Sequence, residues 1–178
     1  MKKIVIVGAL GYLGTELCKI YSGESWRNKI VALDNRFLSE RVSQLVNWNI
    51  EFFQGHILDN DFLKKHLFDA DIVHHLAGVT DVAYVKTEAN SELDERIRSI
   101  AVDGTNNILR NMSPNCKIIF PSTHVVFEGY QETKKNINED ETTKPILMYS
   151  TSKVQNENDI QNSNNKYVIL RLGSVYGY

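Results

Sequence analysis

The segment from Lys2 to Asp34 constrains the fold of this chain more than any other part of the sequence. Residues 3–7 contain a short run of four β-branched side chains, Ile4 to Val7, which predicts a buried parallel strand. Three glycines follow, and the apolar residues after them recur at spacings of three and four, which predicts a helix. A second apolar run, residues 29–33, ends at Asp34, twenty residues after Gly14. This order of strand, glycine turn, helix, strand and acid is typical of a dinucleotide site in a parallel α/β sheet.

The glycine turn Gly8-Ala-Leu-Gly11-Tyr-Leu-Gly14 contains the residue types that a diphosphate requires. Glycine lets the backbone turn tightly and approach a pyrophosphate, whose charge then faces the free N–H groups of the helix start. An acid after the second strand accepts hydrogen bonds from both ribose hydroxyls of the adenosine half. The segment therefore predicts cofactor contacts from the turn, the helix start and the end of the second strand, at Gly8, Gly11, Tyr12, Leu13, Gly14, Asp34 and Asn35.

The residues around Asp34 bear on the choice between NAD and NADP. Arg36 is a cation that can meet the 2′-phosphate of NADP, but the carboxylate of Asp34 repels that phosphate. The sequence therefore favours NAD. Arg36 is then expected to be a solvated loop residue or a lid over the adenine.

Composition places the chain among single globular domains. A length of 178 residues, 42% of them hydrophobic, suits one domain with a core. The net charge of −2 gives no electrostatic basis for binding nucleic acid or an anionic membrane. No stretch approaches the ~20 apolar residues that span a bilayer, and the first apolar run is too short for a signal peptide. Cys18 and Cys116 are expected to be buried, unpaired thiols, which favours a cytoplasmic location.

The middle of the chain continues the alternation of strands and helices. Asp59 is expected to cap a helix that follows the third strand. His74 and His75 are adjacent on the fourth strand, so their side chains point to opposite faces and cannot share one metal ion. We predict no metal site, and we interpret His75 as structural. The loop after this strand offers Thr80 and Asp81 as candidates for substrate contact, and a long helix with an apolar stripe over residues 93–112 follows.

A tyrosine and a lysine four residues apart form the candidate catalytic pair. Tyr149 and Lys153 lie one turn from each other on one face of a predicted helix. Free tyrosine titrates near ~10, so base catalysis near pH 7 requires a fall of about three units, or roughly 4 kcal/mol. A nearby ammonium and a positive nicotinamide ring favour the phenolate. A neighbouring hydroxyl would hold the alcohol oxygen of a substrate within reach.

Together these motifs resemble the extended branch of the short-chain dehydrogenase/reductase superfamily, which includes NAD-dependent nucleotide-sugar epimerases and dehydratases. The turn at residues 8–14 is similar to the Gly-x-x-Gly-Tyr-Leu-Gly motif of that branch, and residues 122–128 are similar to its Ser-Ser-x-x-Val-Tyr-Gly motif. The resemblance implies a doubly wound parallel sheet (Rossmann fold) of about six strands in the order 3-2-1-4-5-6. It implies catalytic roles for Thr123, Tyr149 and Lys153. It also implies cofactor contacts from this tyrosine and lysine, and from His56, Ile57, Leu76, Ala77 and Gly78.

Some positions depart from the family pattern. His56 stands where the family has an aspartate that contacts the adenine amine, while Ala101 and Ser174 replace asparagines. His124 and Val125 stand where the dehydratases of the family carry the Asp-Glu pair that removes water. The last two positions argue against dehydration, and favour epimerisation or simple oxidation and reduction.

The resemblance implies that residues 1–178 are the NAD-binding domain of a nucleotide-sugar epimerase or dehydrogenase, with the C-terminal substrate domain absent. Such a domain is expected to bind NAD and to turn over nothing, because the walls of its substrate pocket are missing. Two alternatives stay open, namely a non-catalytic NAD-binding sensor or scaffold and a reductase of a small non-sugar carbonyl compound. The apolar residues from Val168 to Val175 are expected to lie at a sheet edge or on an uncovered face, which predicts a homo-oligomer.

Overall fold

A computed structural model describes residues 1–79 and 91–176 of the chain, so Thr80 and Asp81 lie outside the described residues. The strands are β1 Lys2–Val7, β2 Asn28–Asp34, β3 Glu51–Gln54, β4 Ile72–His75, β5 Lys117–Thr123 and β6 Lys166–Leu172. The helices are α1 Tyr12–Ser22, α2 Ser39–Asn47, α3 Asn60–Leu67, α4 Ser91–Arg98, α5 Gly104–Asn111 and α6 Met148–Gln161. A π-helical turn, Ser99–Asp103, joins α4 to α5, and a 3₁₀ turn, His124–Phe127, follows β5.

The six strands form one parallel sheet in the order β3-β2-β1-β4-β5-β6. This confirms the predicted doubly wound topology. The chain moves outward in one direction from β1 to β3 and in the other from β4 to β6. A crevice therefore opens at the carboxyl ends of β1 and β4, which is where open α/β sheets bind their ligands.

The first strand shows how one short sequence builds both hydrophobic layers. Its side chains alternate in direction, so Ile4 and Ile6 pack with residues of α1 and α2, while Val5 and Val7 pack with residues of α3, α5 and α6. All four are at most 3% exposed. Each contributes about 1.5–3 kcal/mol by burial, so β1 is the centre on which both helical layers rest.

The helix predicted over residues 93–112 is present but is not a regular α-helix throughout, because the π-helical turn Ser99–Asp103 lies within it. Ile97, Ile108 and Met112 are buried, as the apolar stripe predicts. Single π-helical turns within α-helices occur frequently at functional sites. Here the turn contains Ile100, which lies in the wall of the cavity described below.

Two local predictions are confirmed by side-chain contacts. The carboxylate of Asp59 accepts a hydrogen bond from the backbone N–H of Phe62 at 3.0 Å, which caps α3. Cys18 and Cys116 are buried and unpaired, and burial raises the pKa of each thiol to about 12.

In the part of the chain that the structure describes, no helix has the length and apolar character needed to cross a membrane.

Candidate functional site

A cavity of about 470 Å³ lies in the crevice at the carboxyl ends of the central strands. Its walls come from the glycine turn, the end of β2, the loop after β3 and the loop after β4. The sequence predicts twelve cofactor contacts besides Tyr149 and Lys153, and all twelve line this cavity: Gly8, Gly11, Tyr12, Leu13, Gly14, Asp34, Asn35, His56, Ile57, Leu76, Ala77 and Gly78. The fold thus gathers residues from four separate segments around one space.

Two glycines of the turn are required by close backbone contacts. Gly8 has φ +87°, and a Cβ added there would lie 2.6 Å from the backbone nitrogen of Ala77. A Cβ added at Gly14 would lie 2.7 Å from the Cα of Ala9. The absence of side chains lets β1 turn beneath the loop after β4, and it lets α1 begin directly against the turn. A backbone cradle remains at the entrance to α1.

The start of α1 suits an anion. Gly11 occupies the N-cap position without a side-chain hydrogen bond, and the first turn of the helix contains no acidic residue. The N–H groups of that turn are therefore free to face a negatively charged group, and the helix dipole adds partial positive charge. The residues present fit the diphosphate of a dinucleotide.

Asp34 lies at the other end of the cavity in a network that the sequence did not predict. Its side chain is 3% exposed and accepts a hydrogen bond from the backbone N–H of Leu10 at 2.9 Å. Arg36 donates to the same carboxylate from its backbone N–H at 3.0 Å and from Nε at 3.1 Å. Arg36 is thus an ion-pair partner of Asp34. The interpretation of Arg36 as a solvated loop residue or adenine lid missed this contact, since it depends on the rotamer at the end of β2.

The loop after β3 supplies His56. Its Nδ1 accepts a hydrogen bond from the backbone N–H of Leu58 at 3.1 Å, so this ring nitrogen is engaged within the loop. The opposite wall contains Arg96 and Ile100, which no motif in the sequence indicated as part of a site. They line the cavity because of the path that α4 and the π-helical turn follow. The sequence signal in this region was the apolar stripe over residues 93–112, and it predicted packing in the core.

The three predicted catalytic residues lie together at the end of β5 and the start of α6. Burial raises the pKa of Tyr149, and the nearby hydroxyl of Thr123 opposes that rise. The same threonine accepts a hydrogen bond from the backbone N–H of Val125 at 3.1 Å, which fixes the hydroxyl at the end of the strand. Nζ of Lys153 lies 5.9 Å from the centroid of the Tyr149 ring. Neither the phenol of Tyr149 nor the ammonium of Lys153 is among the described residues that line the 470 Å³ cavity.

A buried carboxylate lies one helical turn beyond Lys153. Glu157 is 3% exposed and accepts hydrogen bonds from Ser122 and from Arg171, whose Nη2 lies 2.7 Å from Oε2. Burial lowers the pKa of Lys153 to about 8, and the charge of Glu157 opposes this fall. Lys153 therefore remains mostly protonated at pH 7.

His75 has the structural role that the sequence predicts. It is 1% exposed, and its Nε2 lies 2.8 Å from the hydroxyl of Thr105, which itself donates to the carbonyl oxygen of Ala101. The ring therefore donates from Nε2. Burial, and secondarily the charge of Lys153, lower its pKa to about 3.

A second cavity, of about 570 Å³, follows Thr123 in the chain and is lined in part by His124, Glu128 and Arg171. One oxygen of Glu128 accepts hydrogen bonds from the backbone N–H groups of Ile146 and Leu147, at 2.8 and 2.7 Å, and from the hydroxyl of Ser150. These contacts cap the start of α6, because its N-cap residue Leu147 supplies no side-chain hydrogen bond. The carboxylate thereby holds the turn that carries Tyr149.

Comparison with known sequences identifies a family and several relatives of this chain. The sequence model of one family, described as RmlD substrate binding domain, matches residues 1–178. A dTDP-D-glucose 4,6-dehydratase of Dictyostelium discoideum is 28% identical over 201 residues, covering 99% of this chain and 44% of that protein. A dTDP-4-dehydrorhamnose reductase of Aggregatibacter actinomycetemcomitans is 26% identical over 177 residues, covering 99% of this chain and 53% of that protein.

Among solved structures, the UDP-glucuronic acid 4-epimerase from Bacillus cereus in complex with NAD superposes with a TM-score of 0.79. It is 26% identical and covers 98% of this chain and 57% of that chain. These matches confirm the resemblance to enzymes that act on nucleotide-linked sugars. The chain spans about half the length of the relatives it matches.

Proposed function

Because the chain belongs to the family of the RmlD substrate binding domain, we propose that it is the NAD-binding domain of a nucleotide-sugar epimerase or oxidoreductase. One observation carries the proposal: the twelve residues that the sequence assigns to NAD all line one cavity at the carboxyl edge of the sheet. NAD crystallised with the Bacillus cereus epimerase supports the choice of cofactor. The nucleotide-linked substrates named for the relatives support the substrate class.

In this proposal NAD, when bound, supplies the hydride acceptor. The side chains of the chain accept the proton and orient the substrate. Tyr149 accepts the proton of a sugar hydroxyl, and Thr123 holds the oxygen of that hydroxyl. Lys153, protonated at pH 7, stabilises the phenolate by its charge. The glycine turn and the start of α1 hold the diphosphate, while Asp34 faces the ribose of the adenosine half.

The environment of Tyr149 sets a condition on this chemistry. Burial raises its pKa, which is the opposite of the change that a base near pH 7 requires. The hydroxyl of Thr123 lowers the pKa, as a base requires, and the charge of an oxidised nicotinamide would lower it too. Tyr149 is therefore expected to become a base only when the dinucleotide and the substrate are both present.

The same observation favours a second candidate, a non-catalytic NAD-binding sensor or scaffold. A phenol whose pKa is raised stays protonated at pH 7, and a domain with that phenol can bind NAD without turnover. The two candidates share the cofactor cavity and differ only in the use of Tyr149. Substitution at this residue therefore separates them.

The first test measures cofactor binding by isothermal titration calorimetry. The chain should bind NAD more tightly than NADP, and Asp34→Ala should abolish that preference, because the carboxylate that selects the ribose hydroxyls is lost. Asp59→Ala is a suitable control, since this carboxylate caps α3 and faces no predicted cofactor atom. Equal affinity of the unmodified chain for the two dinucleotides would contradict the assignment of NAD.

The second test uses Tyr149→Phe in a form of the protein that includes a substrate-binding region. The variant should keep its affinity for NAD and lose hydride transfer to NAD from the nucleotide sugar. Full turnover would remove Tyr149 from the role of base. A parent protein with no turnover and normal NAD affinity would favour the sensor or scaffold.

A further inference from the structure

Arg96 lines the 470 Å³ cavity on the side formed by α4 and the π-helical turn. Ile100, four residues further along the chain, lines the same cavity, so the two residues share one face of this helical segment. Ile97, the next residue after Arg96, is 6% exposed, and its burial in the core fixes the rotation of α4. The position of Arg96 at the cavity is therefore set by the packing of its helix.

The charged residues around the cavity leave an excess of positive charge. Asp34 is the only carboxylate residue among the described residues of the cavity wall, and its ion pair with Arg36 compensates its charge. The other arginine of the wall is Arg96. An anion that enters the cavity therefore meets one cation whose charge no carboxylate of the described wall compensates.

The diphosphate of a dinucleotide needs more positive charge than the start of α1 supplies. Each of its phosphates carries a negative charge, whereas the end of a helix dipole is equivalent to roughly half an elementary charge. Negative charge that leaves water without compensation is costly. A guanidinium group is suited to supply the missing charge, because it can donate parallel hydrogen bonds to the oxygens of a phosphate.

We propose that Arg96 binds the diphosphate of the dinucleotide from the side of the cavity that α4 forms. The glycine turn and the start of α1 hold the diphosphate through backbone N–H groups, and Arg96 adds a full charge from a second segment of the chain. This inference rests on the proposed function only in that a dinucleotide occupies the cavity, and it requires no catalysis.

The test compares the unmodified chain with Arg96→Met, Arg96→Lys and Arg98→Met. Methionine keeps much of the side-chain length and removes both the charge and the donors. Arg98 is the matched control, because it is an exposed arginine on the same helix and is not among the described residues of the cavity wall. Isothermal titration calorimetry measures the dissociation constant of NAD at low and at high ionic strength. NMR chemical-shift titration measures the dissociation constant of adenosine, which has no diphosphate.

Arg96→Met should weaken NAD binding about fivefold at low ionic strength, since an exposed ion pair with the diphosphate is lost. The difference from the unmodified chain should decrease at high ionic strength, because salt screens exposed charges. Adenosine binding should stay unchanged. Arg96→Lys should keep most of the NAD affinity, and Arg98→Met should keep all of it. A purely structural role of Arg96 would instead weaken the binding of NAD and adenosine together, whatever the ionic strength.

Three results would overturn the inference and leave the proposed function intact. The first is an affinity of Arg96→Met for NAD equal to that of the unmodified chain. The second is an equal loss of affinity for NAD and adenosine, which would place Arg96 at the base or in a structural role. The third is a loss in Arg98→Met as large as in Arg96→Met, which would show a general effect of charge. If the unmodified chain binds no NAD, the proposed function fails and this inference fails with it.

Discussion

Lys153 donates a hydrogen bond from its Nζ to the carbonyl oxygen of Pro121 at 2.8 Å. Pro121 lies on β5 two residues before Thr123, so this bond joins α6 to the strand that ends in the candidate catalytic hydroxyl. The same Nζ lies 4.3 Å from the centroid of the Phe120 ring, which is 1% exposed. The ammonium is thus held in a largely apolar setting. Burial lowers its pKa, and the charge of Glu157 opposes this fall.

Glu157→Gln should lower the pKa of Lys153 below its present value of about 8, because the charge that opposes the effect of burial is removed. The pKa can be measured by NMR titration of the chain with ¹³C-methylated lysines, with Lys153→Arg used to assign the signal.

Asp159→Asn is the control for this titration, since Asp159 lies on the same helix and its carboxylate bonds to Asn106 and Gln155. It should leave the signal of Lys153 unchanged. An unaltered pKa of Lys153 in Glu157→Gln would show that Glu157 does not set the charge of the ammonium.

The two adjacent histidines of β4 predict a loss of stability in mild acid. Burial lowers the pKa of His74 to about 4 and that of His75 to about 3, from an ordinary value of 6.5. Both are neutral in the folded chain and take up protons on unfolding, so their contribution is complete above pH 6.5 and falls as the pH decreases toward 4 and 3. Each should reduce the free energy of unfolding by about 1 kcal/mol between pH 7 and pH 5.5.

Urea unfolding at the two pH values measures this effect. His75→Leu should remove the contribution of one histidine, about 1 kcal/mol, from the decrease in the free energy of unfolding between the two pH values. His124→Gln, which replaces an exposed histidine, should leave that decrease unchanged. A pH dependence in His75→Leu as steep as in the unmodified chain would contradict the prediction.

Gly8→Ala should destabilise the fold by at least about 1–2 kcal/mol, since alanine at φ +87° is strained. The added Cβ would also lie 2.6 Å from the nitrogen of Ala77, a backbone atom that cannot give way easily. Gly78→Ala is the matched control in the same cavity, because a Cβ there meets nothing within 4 Å. Thermal unfolding should separate the two variants. A fully stable Gly8→Ala variant would mean that the turn tolerates a side chain.

The edge strand β6 predicts self-association. Val168 and Leu170 are 37% and 45% exposed, and β6 has a strand neighbour on only one side in the described sheet. Such an edge pairs readily with another chain, and a lysine on it discourages pairing. Leu170→Lys should therefore reduce the mass measured by light scattering at high concentration.

Ile20→Lys tests whether any exposed apolar residue has this effect, because Ile20 is 70% exposed on α1, away from the edge. It should leave the association unchanged. A monomer at all concentrations in the unmodified chain would refute self-association altogether.

Much of the cofactor cavity was predictable because its residues occur in short motifs at fixed places in the fold. Strands such as residues 4–7 are apolar throughout, and the positions just after them meet at one edge of a parallel sheet. Arg96 and Ile100 were missed because they approach from a helix whose path depends on a π-helical turn. No periodic pattern marks such a turn.

The sequence by itself determined the alternation of strands and helices and the seven cavity residues from Gly8 to Asn35, since both follow from local patterns of hydrophobicity, glycine and charge. The order of the strands and the other five predicted cavity residues came from the resemblance to a known family. Only the tertiary structure decided that Arg36 occupies the carboxylate of Asp34, and that burial makes Tyr149 a weaker acid while making Lys153 a stronger one. The reason is physical. Chain connectivity and burial patterns specify which residues come together, whereas the charge of a group depends on every neighbour that removes water from it or donates to it.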